Sequence, residues 1–447
     1  MKDLSTGKES RLILHFATPM LLGNIFQQLY NVVDSIVIGN FIGTEALAAV
    51  GASFPIIFTL VSLIMGIAIG STVIISQYYG AKEIEQVKRA IDTLYIFIFL
   101  ASIVVTVIGI IASDAIFRLI KLPEEVIPQA SLYLRIYFSG MILFFGFNGT
   151  SAILRGLGDS KTPLFFMVIS TISNILLDLL FVVGFGWGIA GAAYATVVAQ
   201  GGAFVTAILY LNKKHPIINL SWRKLIFDRD IFMKNIKIGF PIGFQQAFVA
   251  LGMIMMYWLV NPFGTATVAA YSVVFRIDSF AGMPAMNFAA ALSTFVGQNL
   301  GAGKPHRIKT GLGATFRMTS LIAVSISLIL VVFSRGMISL FTSDPEVIEI
   351  GAKYLQIVSP FYIVFTTMFV VGGVMRGAGD TLIPMIITFF ALWVVRIPAC
   401  YLLAQKLGAT GIWWGIPMAW VIGLILSYSY YRTGKWKSRV IVKHEQP

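Results

Sequence analysis

The chain has 447 residues, 57% of them hydrophobic and only 12% charged, with a mean hydropathy of +0.84. A water-soluble domain would carry about 25% charged residues, so this composition excludes one and specifies a polytopic helical membrane protein. A single Cys400 rules out an internal disulfide, and the scattered His15, His215, His306 and His444 offer no metal-ligand spacing.

Twelve spans are expected, starting near Leu12, Ala48, Asp92, Ser131, Pro163, Trp187, Lys234, Thr265, Thr315, Ala352, Pro384 and Ala409. The first is long and followed by no small-residue cleavage site, so it reads as a span rather than a cleaved signal. Pro19 inside it breaks the helical hydrogen-bond ladder and predicts a kink, a candidate hinge. Further along the same span lie Gln27, Gln28 and Tyr30, and then Asp34 in "NVVDSIVIGN" (31–40), with no basic residue close in sequence. A charged residue at a span centre costs about 2.5–3.5 kcal/mol; an acid retained there implies a role. Tyr30 and Asp34 are i, i+4 and share a helix face, as do Asn174 and Asp178 on the fifth span, and Thr196 follows on the sixth.

The basic stretch "NKKHPIINLSWRKLIFDRD" (212–230) reads as a linker, with a short interfacial helix expected around Trp222 to Phe227. It divides the chain into an N-terminal lobe (1–211), a linker (212–237) and a C-terminal lobe (238–447). The seventh span carries Gln245, Gln246, Met255 and Met256. Polar residues avoid lipid, so the four glutamines of spans 1 and 7 are candidates to line a substrate cavity, and methionines suit a soft wall that repacks around varied ligands. Arg276 and Asp278 in "VVFRIDSF" are two apart, about 200° around a helix. They cannot easily pair with each other, and either line the cavity or find partners elsewhere. "GAGKP" (301–305) imitates part of a phosphate-binding loop, but Pro305 replaces the needed Ser/Thr and Gln298 stands in place of the leading Gly. No ATP site is found, so any pumping by such a chain would have to draw on an ion gradient.

The net charge of +13 is explained by topology rather than by nucleic acid. Assigning both termini to one side places 25 of the 33 Lys and Arg there. Five lie opposite (Arg118, Lys121, Arg335, Lys353, Lys406), and Arg135, Arg276 and Arg396 fall within spans. The positive-inside rule then puts both termini in the cytoplasm.

The chain also repeats itself at an offset of 221 residues. "RGLGDSKTP" (155–163) matches "RGAGDTLIP" (376–384), "SQYYGAK" (76–82) matches "GQNLGAGK" (297–304), and Pro19 resembles Pro241 with a one-residue slip. Six spans per repeat give both halves the same orientation, so two six-helix lobes related by a pseudo-two-fold axis along the membrane normal are expected, flanking a central cavity. The acids break the symmetry. Opposite Asp34 stands Met255 or Met256, opposite Asn174 stands Val395, and opposite Asp178 stands Ala399.

"ALSTFVGQNLGAGK" (291–304), the paired RGxGD loops, "NILLD" (174–178) and "GIAGAAYAT" (188–196) resemble the multidrug and toxic compound extrusion (MATE) family, across essentially the whole chain. The resemblance implies a V-shaped pair of six-helix bundles exporting small, often cationic organic molecules against inward flow of H+ or Na+, with no other cofactor. In the branch with its ion site in the N-terminal half, acidic and polar ligands fall at positions matching Asp34, Asn174, Asp178 and Thr196, and Tyr30 and Tyr133 match supporting tyrosines. Another branch uses acids on spans 7 and 10; this chain has none there, so the resemblance implies no such second-half site.

The residues thus suit an ion-coupled antiporter in the plasma membrane. Its expected partners are small organic substrates, H+ or Na+ and lipid, and it is expected to work as a monomer. Protonation or ion release at Asp34 would bend span 1 at Pro19. The rival is a flippase for lipid-linked sugars or other lipids, which calls for a cationic cavity; Arg276 and Arg396 favour it and the first-half acids oppose it. A channel or receptor would not need the repeat and the titratable cluster together, and no catalytic constellation of an enzyme is present.

Overall fold

The computed structural model describes residues 2–120, 122–214, 217, 218, 220 and 224–442. In chain order its helices are α1 (Glu9–Phe41), α2 (Thr44–Gly80), α3 (Ile84–Leu119), α4 (Ile127–Ser139), α5 (Met141–Gly156), α6 (Lys161–Asp178), α7 (Gly188–Lys214) and α8 (Arg229–Val260). Then follow α9 (Thr265–Gly301), α10 (His306–Val332), α11 (Ser334–Ser339), α12 (Pro345–Val358), α13 (Tyr362–Gly377), α14 (Leu382–Phe389), α15 (Ile397–Leu407) and α16 (Ala409–Thr433). No strand occurs among the described residues. Helices suit a lipid solvent because each satisfies its backbone polar groups within its own segment.

Ten helical stretches among the described residues are long and apolar enough to cross a membrane, and α4 with α5, bent by 52° at Gly140, makes an eleventh. The expected twelfth is α1. Its 33 residues suffice for a crossing, but His15, Asn24, Gln27, Gln28, Asn31 and Asp34 dilute its apolarity. Polar residues thus weaken the signal that would mark the helix as a span. The interfacial helix expected around Trp222 to Phe227 falls partly outside the described residues, and 224–228 are irregular.

The described chain forms two compact units whose bounds differ from the chain-order division. The first comprises residues 1–3 and Thr18–Gly243; the second comprises Leu4–Ala17 and Phe244–Pro447. The N-terminal segment and the first half of α8 are therefore reassigned, and local contacts explain both. In the second unit, Leu4 donates its N–H to Gln298 (2.9 Å), Asn299 donates to the Leu4 carbonyl (3.1 Å), Lys304 reaches the Ser5 carbonyl (3.1 Å), and Arg307 binds Glu9 (3.0 Å) and the Gly7 carbonyl. In the first unit, the N–H of Asp228 donates to Thr93 (3.0 Å), Lys234 donates to Tyr78 (3.0 Å), and Asn235 to Ser71. Pro19 and Pro241 sit within two residues of these two unit boundaries.

The paired RGxGD loops have a geometric cause. Gly158 and Gly379 take positive φ (79° and 92°), which glycine adopts without a Cβ penalty. A Cβ on Gly377 would lie 2.4 Å from the Ser293 carbonyl oxygen, so α13 meets α9 there through bare backbone. Asp159 caps the turn by accepting from the Lys161 and Thr162 N–H groups (3.1 and 3.0 Å) and the Thr162 hydroxyl (2.7 Å). In the second unit Asp380 instead accepts from Tyr430 at 2.6 Å.

Candidate functional site

The first unit gathers a polar cluster from four helices: Tyr30 and Asp34 from α1, Tyr133 from α4, Asn174 and Asp178 from α6, and Thr196 from α7. Asp34, Asn174, Asp178 and Thr196 are each at most 7% exposed, and Tyr133 is buried. The i, i+4 pairs face inward as their spacing requires.

The hydrogen bonds have a fixed direction. The Thr196 hydroxyl donates to the Ala192 carbonyl (3.1 Å), so the Tyr30 hydroxyl, 3.0 Å away, must be the donor to Thr196 Oγ1. Oriented as its neighbours require, the Asn174 amide donates to Asp178 Oδ2 (3.0 Å) and accepts from the Thr196 N–H (3.3 Å). That leaves Asp178 Oδ1 buried with no partner among the described residues. An unsatisfied buried acceptor costs about 1–3 kcal/mol. No hydrogen bond or salt bridge among the described residues holds Asp34 either, and Asp178 is acted on by the charge of Asp34. Immediately after Asp178 the helix widens into a π turn, Leu179–Gly184. Such turns are frequent at functional sites.

Beside the cluster opens a narrow cleft, lined among others by Gln27, Tyr30, Phe144, Asn148, Asn174 and Thr196. The sequence reading missed Phe144, Asn148, Met167, Ser170, Thr171 and Gln200 here. Met167, Ser170, Asn174 and Asp178 recur at spacings of three and four, so the face of α6 could have been read from its period; the face of α5 carries no such polar signal. Tyr137, one turn from Tyr133 and 6.1 Å from it between ring centroids, also belongs to the cluster and was missed.

The remaining candidates lie elsewhere. Gln28 accepts from Asn31 (3.2 Å). In the second unit, Gln245 donates to Thr388 (2.6 Å), Gln246 and Met255 are half-buried, and Met256 is 1% exposed in the apolar core. Arg276 is exposed on α9, while Asp278 has partners, Tyr354 on α12 (2.5 Å) and Tyr362 on α13. Pro19 is buried within α1. No group of three or more His, Cys, Asp or Glu able to hold a metal ion occurs among the described residues.

Comparison with known proteins places this architecture. The MatE family model matches residues 19–180 and again 241–402, one match in each half of the chain. The chain is 35% identical to "Probable multidrug resistance protein YoeA" of Bacillus subtilis (strain 168) over 96% of its length and 94% of that protein. It is 24% identical to "Multidrug export protein MepA" of Staphylococcus saprophyticus over 91% and 90%. The fold matches a crystal structure of MATE in complex with MaL6 with a TM-score of 0.92 at 23% identity, covering 98% of both chains, and one of MATE in the bent conformation with a TM-score of 0.91. Two copies of one family model, full-length relatives and a shared helical fold lead to a single conclusion: the chain belongs to the MatE family of multi-pass membrane transporters.

Proposed function

We propose that this protein exports amphipathic, often cationic organic compounds across the plasma membrane in exchange for H+ or Na+, with both termini in the cytoplasm and the monomer as the working unit. The observation that carries the reading is Asp178 Oδ1, without a partner among the described residues, beside Asp34 in a buried cluster. Two neighbouring carboxylates bind and release a proton as a unit, or enclose an alkali ion together with the Asn174 and Thr196 oxygens. The names of the relatives support organic substrates. The cleft, apolar at Phe144 and Phe147 and polar at Gln27 and Asn148, suits an amphipathic ligand. A lipid-phosphate cargo would need cations, which this cluster lacks.

The test is efflux of a fluorescent organic cation from proteoliposomes under an imposed proton gradient and then a sodium gradient, for wild type and Asp34→Asn. Gradient-driven flux in the wild type and its loss in the variant are expected, and the effective gradient names the ion. Equal flux in the two proteins would remove Asp34 from coupling.

A further inference from the structure

The second unit contains a half-buried acid, Asp278, that the proposed function leaves unused. Asp278 on α9 lies where two helices meet end to end. Tyr354 on α12 donates its hydroxyl to Oδ2 at 2.5 Å, and Tyr362, the first residue of α13, donates to Oδ1. Between these tyrosines the chain breaks into a short 3₁₀ turn, Ser359–Phe361, containing Pro360. One carboxylate therefore ties both sides of a helix break to a third helix. Ser359 itself is 0% exposed, its hydroxyl oxygen has no partner among the described residues, and it lies beside the Tyr362 hydroxyl. Arg396, at the end of the π turn Phe390–Arg396, is within electrostatic range of Asp278, and its Nε is buried without a partner among the described residues. The other titratable group nearby is Tyr271 on α9.

We infer that Asp278 is a second proton site, which loosens the α12–α13 break when it is protonated. The ligand is a proton and not a metal ion, because no group of three or more His, Cys, Asp or Glu able to hold a metal ion occurs among the described residues, and Asp278 stands among tyrosines instead. The ionised carboxylate accepts two hydrogen bonds and needs both tyrosines. When one proton from water is added to Oδ1, that oxygen becomes a donor and a weak acceptor, and the Tyr362 hydroxyl gives up its bond to it. Ser359 Oγ stands ready to take the Tyr362 proton bond in its place. The tie from α9 then holds α12 alone, and α13 is free to move at Pro360. Return of the proton to water restores both bonds. As part of a transport cycle this inference rests on the ion-coupled reading of the first unit, but protonation at Asp278 can be measured independently of transport.

The experiment is an infrared titration of the purified full-length protein in liposomes, from about pH 4 to 9, following the carbonyl stretch of protonated carboxylic acids. Expected is a titrating band that persists in the Asp34→Asn/Asp178→Asn double variant and disappears in Asp278→Asn. Tyr362→Phe, which keeps the carboxyl and the ring, shifts the pH at which that band appears, and Ser359→Ala slows the accompanying change in backbone amide absorption. The same proteins are assayed for flux: Asp278→Asn lowers gradient-driven flux about tenfold (about 1.4 kcal/mol) and leaves substrate exchange without a gradient within about twofold. A spectrum of Asp278→Asn indistinguishable from wild type at every pH overturns the inference, because the carboxyl then does not titrate. Absence of gradient-driven flux in the wild type would instead overturn the ion-coupled reading, and leaves the infrared assignment of Asp278 standing.

Discussion

The two units descend from one repeated plan and spend their buried polarity differently. Each has the RGxGD turn, the helix end at Gly80 or Gly301, and a segment docked on its face by side-chain hydrogen bonds. In the first unit the buried carboxylates, Asp34 and Asp178, lack a full set of protein donors; Asp178 has one donor and one bare oxygen. In the second unit Asp278 has both oxygens occupied by tyrosines. A carboxylate short of donors is poised to bind something from solution, whereas one with two donors is poised to hold helices together until its charge changes. Position along the fold does not distinguish these roles; the count of donors at each oxygen does.

The largest effect is expected from making the first unit resemble the second. Asn174→Val with Asp178→Ala installs the residues found at the matching positions of the other repeat. This should lower gradient-driven efflux at least about a hundredfold, or about 2.7 kcal/mol in transition-state terms, while the protein remains folded by circular dichroism. The reverse change, Ala399→Asp, should not restore it, because the second unit has no counterpart of Asp34: Met256 there is part of an apolar core with Tyr271, Tyr354 and Trp413. If efflux survives the double change, the asymmetry of the acids is ornamental and the site lies elsewhere.

Next comes the docked N-terminal segment. Arg307 is 7% exposed and binds Glu9, Asn299 and two backbone carbonyls, of Leu4 and Gly7. Arg307→Ala leaves Glu9 unpaired and frees the segment, at a cost of about 2–3 kcal/mol. A lower midpoint of thermal unfolding in detergent, and a faster rate of protease cleavage before Glu9, should both appear. Thr196→Val follows, with a smaller effect. It keeps the shape but removes the acceptor of the Tyr30 hydroxyl, leaving a buried donor unmet at about 1 kcal/mol. Gradient-driven flux should fall about fivefold, measured in proteoliposomes under the same imposed gradient as the wild type.

Much of this was legible in the sequence, and the failures have physical causes. The helical class followed from composition, the two halves from the 221-residue offset, and the inward pairs on α1 and α6 from the period of the helix. The assignment of Leu4–Ala17 to the second unit was not legible, because it depends on Gln298, Asn299 and Arg307 some 300 residues away, each an ordinary polar residue in its own segment. Asp278 was noticed and its partners were not, since Tyr354 and Tyr362 lie on two helices separated by a break. Spacing within one helix reports which residues share a face; it says nothing about which face of another helix they meet.

The smallest predicted effect tests the repeat at a single backbone angle. Lys82 has φ 62°, the left-handed region, where a side chain costs about 1 kcal/mol, and its repeat counterpart is Gly303 with φ 67°. The hydrogen bonds at the two helix ends match one for one: Lys82 to Tyr79 and Glu83 to Tyr78 (3.1 and 3.0 Å), Gly303 to Leu300 and Lys304 to Asn299 (3.1 and 2.8 Å). Both are helix ends of the kind that favour glycine. Lys82→Gly should therefore stabilise the protein by about 0.5 kcal/mol, relief of strain outweighing the added freedom of glycine in the unfolded chain, and Gly303→Lys should cost about 1 kcal/mol. Opposite signs for these two exchanges in thermal unfolding would establish that the repeats share their turn geometry and that only the first has tolerated a strained residue. A loss of stability in Lys82→Gly would mean that the lysine side chain contributes more at the end of α2 than its backbone strain removes.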